Sequence, residues 1–140
     1  MSVLLIRHAR AGHRQRWDDD DTQRPLDERG ILQAGALVDQ LAGYPIDRIL
    51  SSPYVRCVDS VVPLAEARGL EVEPVEELAE GNDYEAARQA LIAAGPNVAA
   101  SVHGDLVEAL LGSSLKKGST AVLELDGASL RIVEELPPPA

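Results

Sequence analysis

The strongest constraint on the fold is an apolar N-terminal run that ends abruptly in charged residues. Residues 2–6 read SVLLI, and residues 7–10 read RHAR. A continuous apolar run of this length is typical of a strand buried on both faces of a parallel sheet. Ligands of open α/β sheets bind just outside the carboxyl ends of such strands. Arg7, His8 and Arg10 are therefore predicted to lie at a binding site.

Two later segments repeat this pattern of a strand followed by polar residues. Residues 98–102 (VAASV) run into His103 and Gly104, and residues 49–53 (ILSSP) lead to Arg56. The carboxyl ends of parallel strands lie at one edge of a sheet. The sequence therefore predicts that histidine and arginine side chains gather at this edge.

Predicted strands alternate with predicted helices along the chain. Helices are expected after Asp27, Pro53, Asp83 and Asp105, and the Asp126-Gly127 pair is a hairpin signal. Strands are expected at residues 2–6, 47–51, 71–75, 97–102, 120–125 and 129–136. This order predicts an α/β fold, a three-layer αβα sandwich around a mostly parallel sheet with an antiparallel C-terminal hairpin. Residues 1–140 are expected to form a single domain.

Apolar spacing also predicts which sides of the first two helices face the core. Asp27 is the expected N-cap of the first helix, whose inner face is predicted to carry Ile31, Ala34, Leu37, Val38 and Leu41. The second helix is expected to begin at Pro53 and to bury Val55, Val58 and Val62. Pro63 should kink this helix or end it.

Composition limits the classes of partner. The net charge of −10 argues against binding nucleic acid through a broad basic face. No run of eighteen apolar residues is present, so no membrane partner is expected. The single cysteine fits a reducing compartment, which predicts a cytoplasmic location. The sequence leaves the oligomeric state open.

The basic residues are unevenly distributed despite the acidic total. Five of the thirteen lie between positions 7 and 24, and all five are arginines suited to bidentate phosphate binding: Arg7, Arg10, Arg14, Arg16 and Arg24. Asp18–Asp21 in the same stretch is expected to be a solvent-exposed acidic run. Four consecutive aspartates without spaced partners are a poor match to a metal-binding loop.

Four segments resemble the signatures of the histidine phosphatase (phosphoglycerate mutase-like) superfamily, and they occur in the family's order. The segments are Arg7–Ala9, residues 24–34 (RPLDERGILQA), residues 51–57 (SSPYVRC) and Val102–Gly104. The likeness is closest to the short bacterial branch typified by small phosphohistidine phosphatases. Residues 56–65 and 77–81 are also similar to a domain that follows a Nudix domain in some actinobacterial nucleotide hydrolases.

This resemblance implies roles for individual residues. His8 would be the nucleophile that forms a covalent phosphohistidine, and Arg7 and Arg56 would clamp the phosphate. His103 would complete the pocket as a cation hydrogen-bonded to phosphate, with the Gly104 N–H as a further donor. Arg10 is expected to be a secondary phosphate or substrate contact, and neither metal nor cofactor is implied.

The resemblance leaves the proton donor to the leaving group open. Register against the short branch favours Glu77, whereas the literal Leu-x-Glu pattern of larger members favours Glu80. The chain also departs from the signature, because Ala9 replaces a glycine. Cys57 lacks the Cys-x5-Arg pattern of cysteine phosphatases, and it is interpreted as a packing residue.

The expected function is a metal-independent phosphatase that works through phospho-His8. A phosphohistidine or other phosphoprotein is the preferred substrate, because the chain is short and resembles that branch. A phosphohydrolase of small metabolites, such as a nucleotide or sugar phosphate, is the enzymatic alternative. A non-catalytic phosphate-binding domain is the alternative from a different class.

Overall fold

One mixed sheet organises the chain in the computed structural model, which describes residues 2–12, 17–127 and 129–139. Within those residues the strands are β1 (Ser2–Arg7), β2 (Arg48–Ser51), β3 (Val72–Pro74), β4 (Val98–Val102), β5 (Thr120–Asp126) and β6 (Ser129–Leu136). The helices are α1 (Glu28–Gln40), α2 (Val55–Arg68), α3 (Tyr84–Ala94) and α4 (Gly104–Leu111). Short 3-10 turns lie at Asp21–Gln23 and Glu76–Leu78.

The strand order in the sheet is β3-β2-β4-β1-β5-β6. The first four strands in this order are mutually parallel, whereas β5 runs antiparallel to β1 and β6 antiparallel to β5. The predicted α/β fold with an antiparallel C-terminal hairpin is confirmed. In the described part of the chain, no helix combines the length and the apolarity needed to cross a bilayer.

Apolar side chains on β1 alternate between two cores, one on each face of the sheet. Val3 and Leu5 belong to the core that includes α3 and α4 residues such as Leu91 and Leu106. Leu4 and Ile6 belong to the opposite core, with α1 and α2 residues such as Leu37 and Leu64. Since successive side chains of a strand point to opposite faces, both sides of the sheet are covered, and the three-layer prediction is confirmed.

Parallel register brings three strand ends to the same level. Arg7 of β1 pairs with Val102 of β4, and the ladder continues as the His8 N–H donates to the Val102 carbonyl at 3.0 Å. On the other side of β4, the Ser52 N–H donates to the Ser101 carbonyl at 3.0 Å. The residues that follow β1, β2 and β4 therefore meet at one edge of the sheet.

Two predicted helix faces are wrong in detail. Ile31 of α1 is 61% exposed. In α2, Val55, Val58 and Val62 are only half-buried, and the helix begins at Val55 rather than at Pro53. The buried face of α2 carries Arg56, Cys57, Ser60, Val61, Leu64 and Ala65. Its polar members face the site, so apolar spacing alone indicated the wrong orientation of the helix.

Other element boundaries differ only slightly from expectation. The helix α2 passes through Pro63 and continues to Arg68, because Leu64 and Ala65 remain buried beyond the proline. The third strand covers Val72–Pro74 and is shorter than the predicted residues 71–75.

The first turn of α1 packs against the loop that follows β1. The Asp27 carboxylate accepts a hydrogen bond from the Gly30 N–H at 2.8 Å and so caps the helix, as predicted. The Asp27 N–H donates to the Arg10 carbonyl at 3.0 Å. A side-chain carbon on Gly30 would overlap this same carbonyl oxygen. Gly30 therefore allows the loop and the helix to meet.

This contact predicts opposite effects for two glycines of α1. Gly30→Ala should destabilise the protein by about 1–3 kcal/mol, because the new methyl group meets backbone that has little room to move. Gly35 is the matched control, since nothing lies within 4 Å of its added carbon. Gly35→Ala should be neutral or stabilising by up to about 1 kcal/mol. Urea unfolding measures both, and equal effects would contradict the proposed packing.

Candidate active site

A polar cavity lies outside the carboxyl ends of β1 and β4. Its volume is about 520 Å³. The lining residues are Arg7, His8, Arg10, Ala11, Gly12, Arg24, Arg56, Glu80, Gly104, Asp105, Glu108 and Lys117. The cavity therefore contains five basic and three acidic side chains together with one imidazole.

His8 is held in one tautomer at the wall of the cavity. Its ring is 6% exposed, and Nδ1 lies 2.8 Å from the Ala9 carbonyl oxygen. A carbonyl can only accept, so Nδ1 carries the proton and Nε2 carries the lone pair. Burial is the main cause that lowers the His8 pKa to about 3, and the charges of Arg56 and Arg7 act in the same direction, against the hydrogen bond to the Ala9 carbonyl. The imidazole is therefore neutral at neutral pH.

Arg7 packs its guanidinium against the start of α4. One terminal nitrogen donates to the Leu115 carbonyl at 2.5 Å, and its buried Nε has no hydrogen-bond partner among the described residues. A side-chain carbon on Gly104 would lie only 2.8 Å from the other terminal nitrogen, so Gly104 makes room for the guanidinium. Burial lowers the Arg7 pKa, opposed by the charge of Glu108.

Arg56 is almost completely buried, with 1% of its surface exposed. Its terminal nitrogens donate to the Asp21 carbonyl at 2.9 Å and to the Asp21 carboxylate at 3.2 Å. The Glu80 carboxylate lies 3.5 Å from the guanidinium, which sits 4.9 Å from the centroid of the Tyr54 ring. The Arg56 Nε, like that of Arg7, is buried and has no hydrogen-bond partner in the part of the chain that the structure describes.

Asp21 corrects the expectation of a wholly exposed acidic run. Asp18, Asp19 and Asp20 are exposed, but Asp21 is half-buried and forms ion pairs with Arg24 at 3.0 Å and with Arg56 at 3.2 Å. The chain turns at Asp21–Gln23, and this turn directs the last aspartate inward. Asp21 therefore orients two arginines at the cavity.

His103 lies behind His8 rather than at the open surface. The two ring centroids are 5.6 Å apart, and His103 is 1% exposed. Its Nε2 is 2.8 Å from the Ser52 hydroxyl, and the Tyr54 ring packs against it at 4.6 Å. His103 is not one of the described residues that line the cavity.

The surroundings of His103 favour its neutral form, whereas the resemblance implies a cation when phosphate is bound. Burial and the positive charge of Arg56 lower the His103 pKa to about 4, although the carboxylates of Glu80, Asp105 and Asp21 oppose this effect. The ring is therefore neutral at neutral pH until an anion arrives. A bound phosphate would favour the protonated form, since an opposite charge stabilises it.

The two candidate acids occupy different positions. Glu77 is exposed in the Glu76–Leu78 turn and is absent from the described residues that line the cavity. Glu80 lines the cavity and contacts Arg56. The structure thus brings together Arg7, His8, Arg10, Arg56, Gly104 and Glu80 around the cavity but leaves Glu77 outside it.

A buried serine ties the nucleophile loop to the arginine helix. The Ala9 N–H donates to the Ser60 hydroxyl at 2.8 Å, and this hydroxyl donates to the Arg56 carbonyl at 2.6 Å. The Ala9 methyl group packs in a small cluster with Leu26 and Ala34. The alanine that replaces the signature glycine therefore has its own packing site.

Cys57 has the surroundings of a packing residue. It is fully buried, and burial raises its thiol pKa to about 12, so it stays neutral. Its sulfur lies 3.6 Å from His103 Nε2. Among the described residues, no three histidine, cysteine, aspartate or glutamate side chains are grouped so as to hold a metal ion.

Lys117, Asp21, Ser60 and Tyr54 are site residues that the sequence did not single out. Ser60 follows Arg56 by four residues on the same helix, and this spacing was the available signal. Lys117 lies in a loop whose approach to the site depends on the tertiary structure. Arg14 and Arg16, which were among the basic candidates, lie outside the described residues.

The two lowered histidine pKa values predict how stability depends on pH. The unfolded chain binds a proton at each histidine below pH about 6.5, whereas the folded chain does not until about pH 3–4. Stability should therefore fall as the pH is lowered from 6.5 to 5.5, with a limiting slope of about 1.4 kcal/mol per pH unit for each histidine. Urea unfolding measures this slope. His8→Asn and His103→Asn should each reduce it, and an unchanged slope in both variants would contradict neutral buried imidazoles.

Known proteins resemble this chain in sequence and in fold. The 8-oxo-(d)GTP phosphatase of Mycolicibacterium smegmatis is 35% identical over 156 residues, which cover 99% of this chain and 48% of the relative. The chain thus spans about half the length of this curated relative. An Agrobacterium tumefaciens structure, provisionally named the phosphohistidine phosphatase SixA, is 26% identical and has a TM-score of 0.78. It covers 98% of this chain, and the match includes 97% of its own length.

A second SixA structure, a protein histidine phosphatase complexed with tungstate, shares the fold. Its TM-score is 0.84 at 23% identity, over 99% of this chain and 97% of its own. The sequence model of the histidine phosphatase superfamily (branch 1) matches residues 3–95, which is more than half of the chain. Together with the strand-end histidines and buried arginines, this match shows that the chain belongs to the histidine phosphatase superfamily.

Proposed function

We propose that this protein is a phosphatase that transfers a phosphoryl group from its substrate to Nε2 of His8 and then to water. The observation that carries the proposal is the state of His8, whose Nδ1–H is fixed on the Ala9 carbonyl while burial keeps the ring neutral. A neutral imidazole with a defined lone pair is ready to attack without first losing a proton. The superfamily to which the chain belongs supports the same assignment.

The proposed reaction has two displacements at phosphorus. In the first, Nε2 of His8 forms a bond to phosphorus as the bond to the leaving oxygen or nitrogen breaks, and the leaving group takes up a proton. In the second, water attacks phosphorus and passes a proton to Glu80, the proposed donor of the first displacement, while the N–P bond breaks and inorganic phosphate leaves. His8 returns to its neutral form, so the cycle consumes only water.

Arg7 and Arg56 are proposed to bind the nonbridging phosphate oxygens. Each guanidinium is positioned by fixed acceptors, Leu115 for Arg7 and Asp21 for Arg56. Each also has a buried Nε donor that no described residue accepts from, and such a donor is costly unless an acceptor binds. Preorganised charge of this kind typically contributes several kcal/mol to transition-state stabilisation for each group, on the order of 3 kcal/mol.

Glu80 is the proposed proton donor to the leaving group, because it lines the cavity beside Arg56. Glu80 thus replaces Glu77 as the preferred candidate.

The reaction is proposed to be independent of metal, since His8 and the guanidiniums provide the nucleophile and the charge stabilisation. We also propose that the protein is cytoplasmic, as the sequence predicted.

Two substrate classes have specific support. A phosphohistidine on a protein is supported by the Agrobacterium structure, which matches this chain over almost its whole length. A small phosphorylated metabolite is supported by the mycobacterial relative, which is named for an oxidised guanine nucleotide. We favour the metabolite over the phosphoprotein that the sequence suggested, because Arg10 and Lys117 line the cavity in addition to the Arg7 and Arg56 guanidiniums proposed to bind the transferred phosphoryl group.

The proposed intermediate predicts that label from a ³²P-phosphorylated substrate can be trapped on His8 by rapid quenching. The adduct should be acid-labile and stable to base, and His8→Ala should abolish it and lower kcat/KM on p-nitrophenyl phosphate by on the order of 10³-fold or more. His13→Ala is the matched control, because this histidine belongs to none of the four family-like segments. A chelator should leave the rate unchanged.

Other results of this experiment would reject the proposal. Tight phosphate binding with neither turnover nor labelled protein would identify a non-catalytic phosphate-binding domain. Label on another residue would exclude His8 as the nucleophile, and loss of activity with a chelator would contradict a metal-independent reaction.

The choice of Glu80 predicts a dependence on the leaving group. Glu80→Gln should slow hydrolysis of an alkyl phosphate such as glycerol 3-phosphate by about 10²–10⁴-fold, because an alkoxide needs a proton to leave. Hydrolysis of p-nitrophenyl phosphate, whose leaving group is stable as an anion, should change by less than about tenfold. Glu77→Gln should alter neither rate. Equal losses on both substrates would show that Glu80 acts only by orienting Arg56.

A further inference from the structure

A second cavity adjoins the active-site cavity and shares two basic residues with it. Its volume is about 490 Å³. It is lined by Arg10, Arg29, Gln33, Lys116, Lys117, Pro138 and Pro139, and we call it the basic groove. Arg10 and Lys117 line both cavities. Four of the seven lining side chains are cations, and none of the described lining residues is acidic.

This concentration of positive charge is unusual in a chain with a net charge of −10. The only two lysines of the chain, Lys116 and Lys117, both lie in the groove. Seven of the thirteen basic residues line one cavity or both: Arg7, Arg10, Arg24, Arg29, Arg56, Lys116 and Lys117. Such local charge selects anionic ligands even when the molecule as a whole is acidic.

Among the described residues that line the groove, cations are present without carboxylates. Partial burial lowers the Lys117 pKa, and the charges of Arg7, Arg24 and Arg10 lower it further. Asp27 opposes this effect, and its carboxylate lies 3.6 Å from the Arg10 Nε. Within the described residues, the Asp27 carboxylate lies beside Arg10, whereas four cations and no carboxylate line the groove, so a second anion would be stabilised there.

A buried amide fixes the groove relative to the nucleophile. Gln33 is 6% exposed, and its side-chain oxygen accepts a hydrogen bond from the Arg10 N–H at 3.0 Å. The same oxygen would lie 3.1 Å from a side-chain carbon on Gly118, so the loop that carries Lys117 packs directly on it. The Gly118 N–H donates to the Arg7 and His8 carbonyls at 3.1 and 3.0 Å. The chain segments that carry Arg10 and Lys117 are therefore held against the backbone next to His8.

We propose that the basic groove binds a second phosphate group of the substrate while the first is transferred to His8. The preferred substrate is then a small molecule with two phosphate groups, such as a diphosphate ester. This inference rests on the proposed function, since the groove is placed relative to phosphoryl transfer at His8. A phosphohistidine carries one phosphoryl group and would leave the groove unused.

The test compares ligands that differ by one phosphonate group. Calorimetry at fixed ionic strength should show that methylenediphosphonate binds the wild-type protein about tenfold or more tightly than methylphosphonate, because charged groove donors engage the second group. The double variant Arg29→Ala/Lys116→Ala should lose most of this advantage. Both residues line the groove but not the active-site cavity. The kcat/KM on p-nitrophenyl phosphate should stay within about twofold, since that substrate has a single phosphate.

The control removes one positive charge outside the groove and is compared with the single variant Lys116→Ala. Arg131 is exposed on the edge strand β6, and Arg131→Ala should preserve the diphosphonate advantage. Equal affinity of the two ligands for the wild-type protein would overturn the inference. If the Arg131 variant lost the same share of the diphosphonate advantage, the inference would also be overturned, because the effect would then come from net charge. Absence of p-nitrophenyl phosphate turnover would instead reject the proposed function, while ligand binding would still decide the role of the groove.

Discussion

The parallel pairing of β1 with β4 and of β4 with β2 is the constraint on which the site depends. The backbone bonds from His8 to Val102 and from Ser52 to Ser101 extend these ladders past the ends of the strands. They bring the two imidazoles within 5.6 Å of each other although 94 residues of chain separate them. A one-residue slip in either pairing would turn the site residues to the other face of the sheet, so the register that buries the core also assembles the site.

Burial determines the charge states of the residues that form the site. Arg56 is sequestered with only 1% of its surface exposed, and both imidazoles beside it are held neutral by desolvation and neighbouring positive charge. Asp21 and Glu80 offset part of the Arg56 charge. An arriving phosphate dianion would enter a site that is short of negative charge, and His103 can then gain a proton. His8 and His103 therefore share the same surroundings but differ in position relative to the anion. His8 stays neutral as the nucleophile, whereas His103 can become a cation.

The sequence was informative where local patterns determine structure. The apolar run before His8, the Asp27 cap and the Asp126-Gly127 turn signal each depend on neighbouring residues, and the fold followed from their order. The orientation of α2 and the inward position of Asp21 depend on contacts with distant elements, which no local pattern contains. The choice between Glu77 and Glu80 likewise depends on a short turn that directs only one of them to the cavity.

The uneven placement of charge has a kinetic consequence. Most of the surface of a molecule with ten excess negative charges repels small anions, whereas the entrance that contains Lys116 and Lys117 attracts them. Such a molecule has a large electric dipole, so an approaching anionic ligand is oriented before contact and productive collisions are enriched. Acidic macromolecules such as nucleic acids are larger than the entrance, so they also contact the negatively charged surface around it and are repelled. Long-range electrostatics can therefore filter ligands by size before any shape complementarity applies.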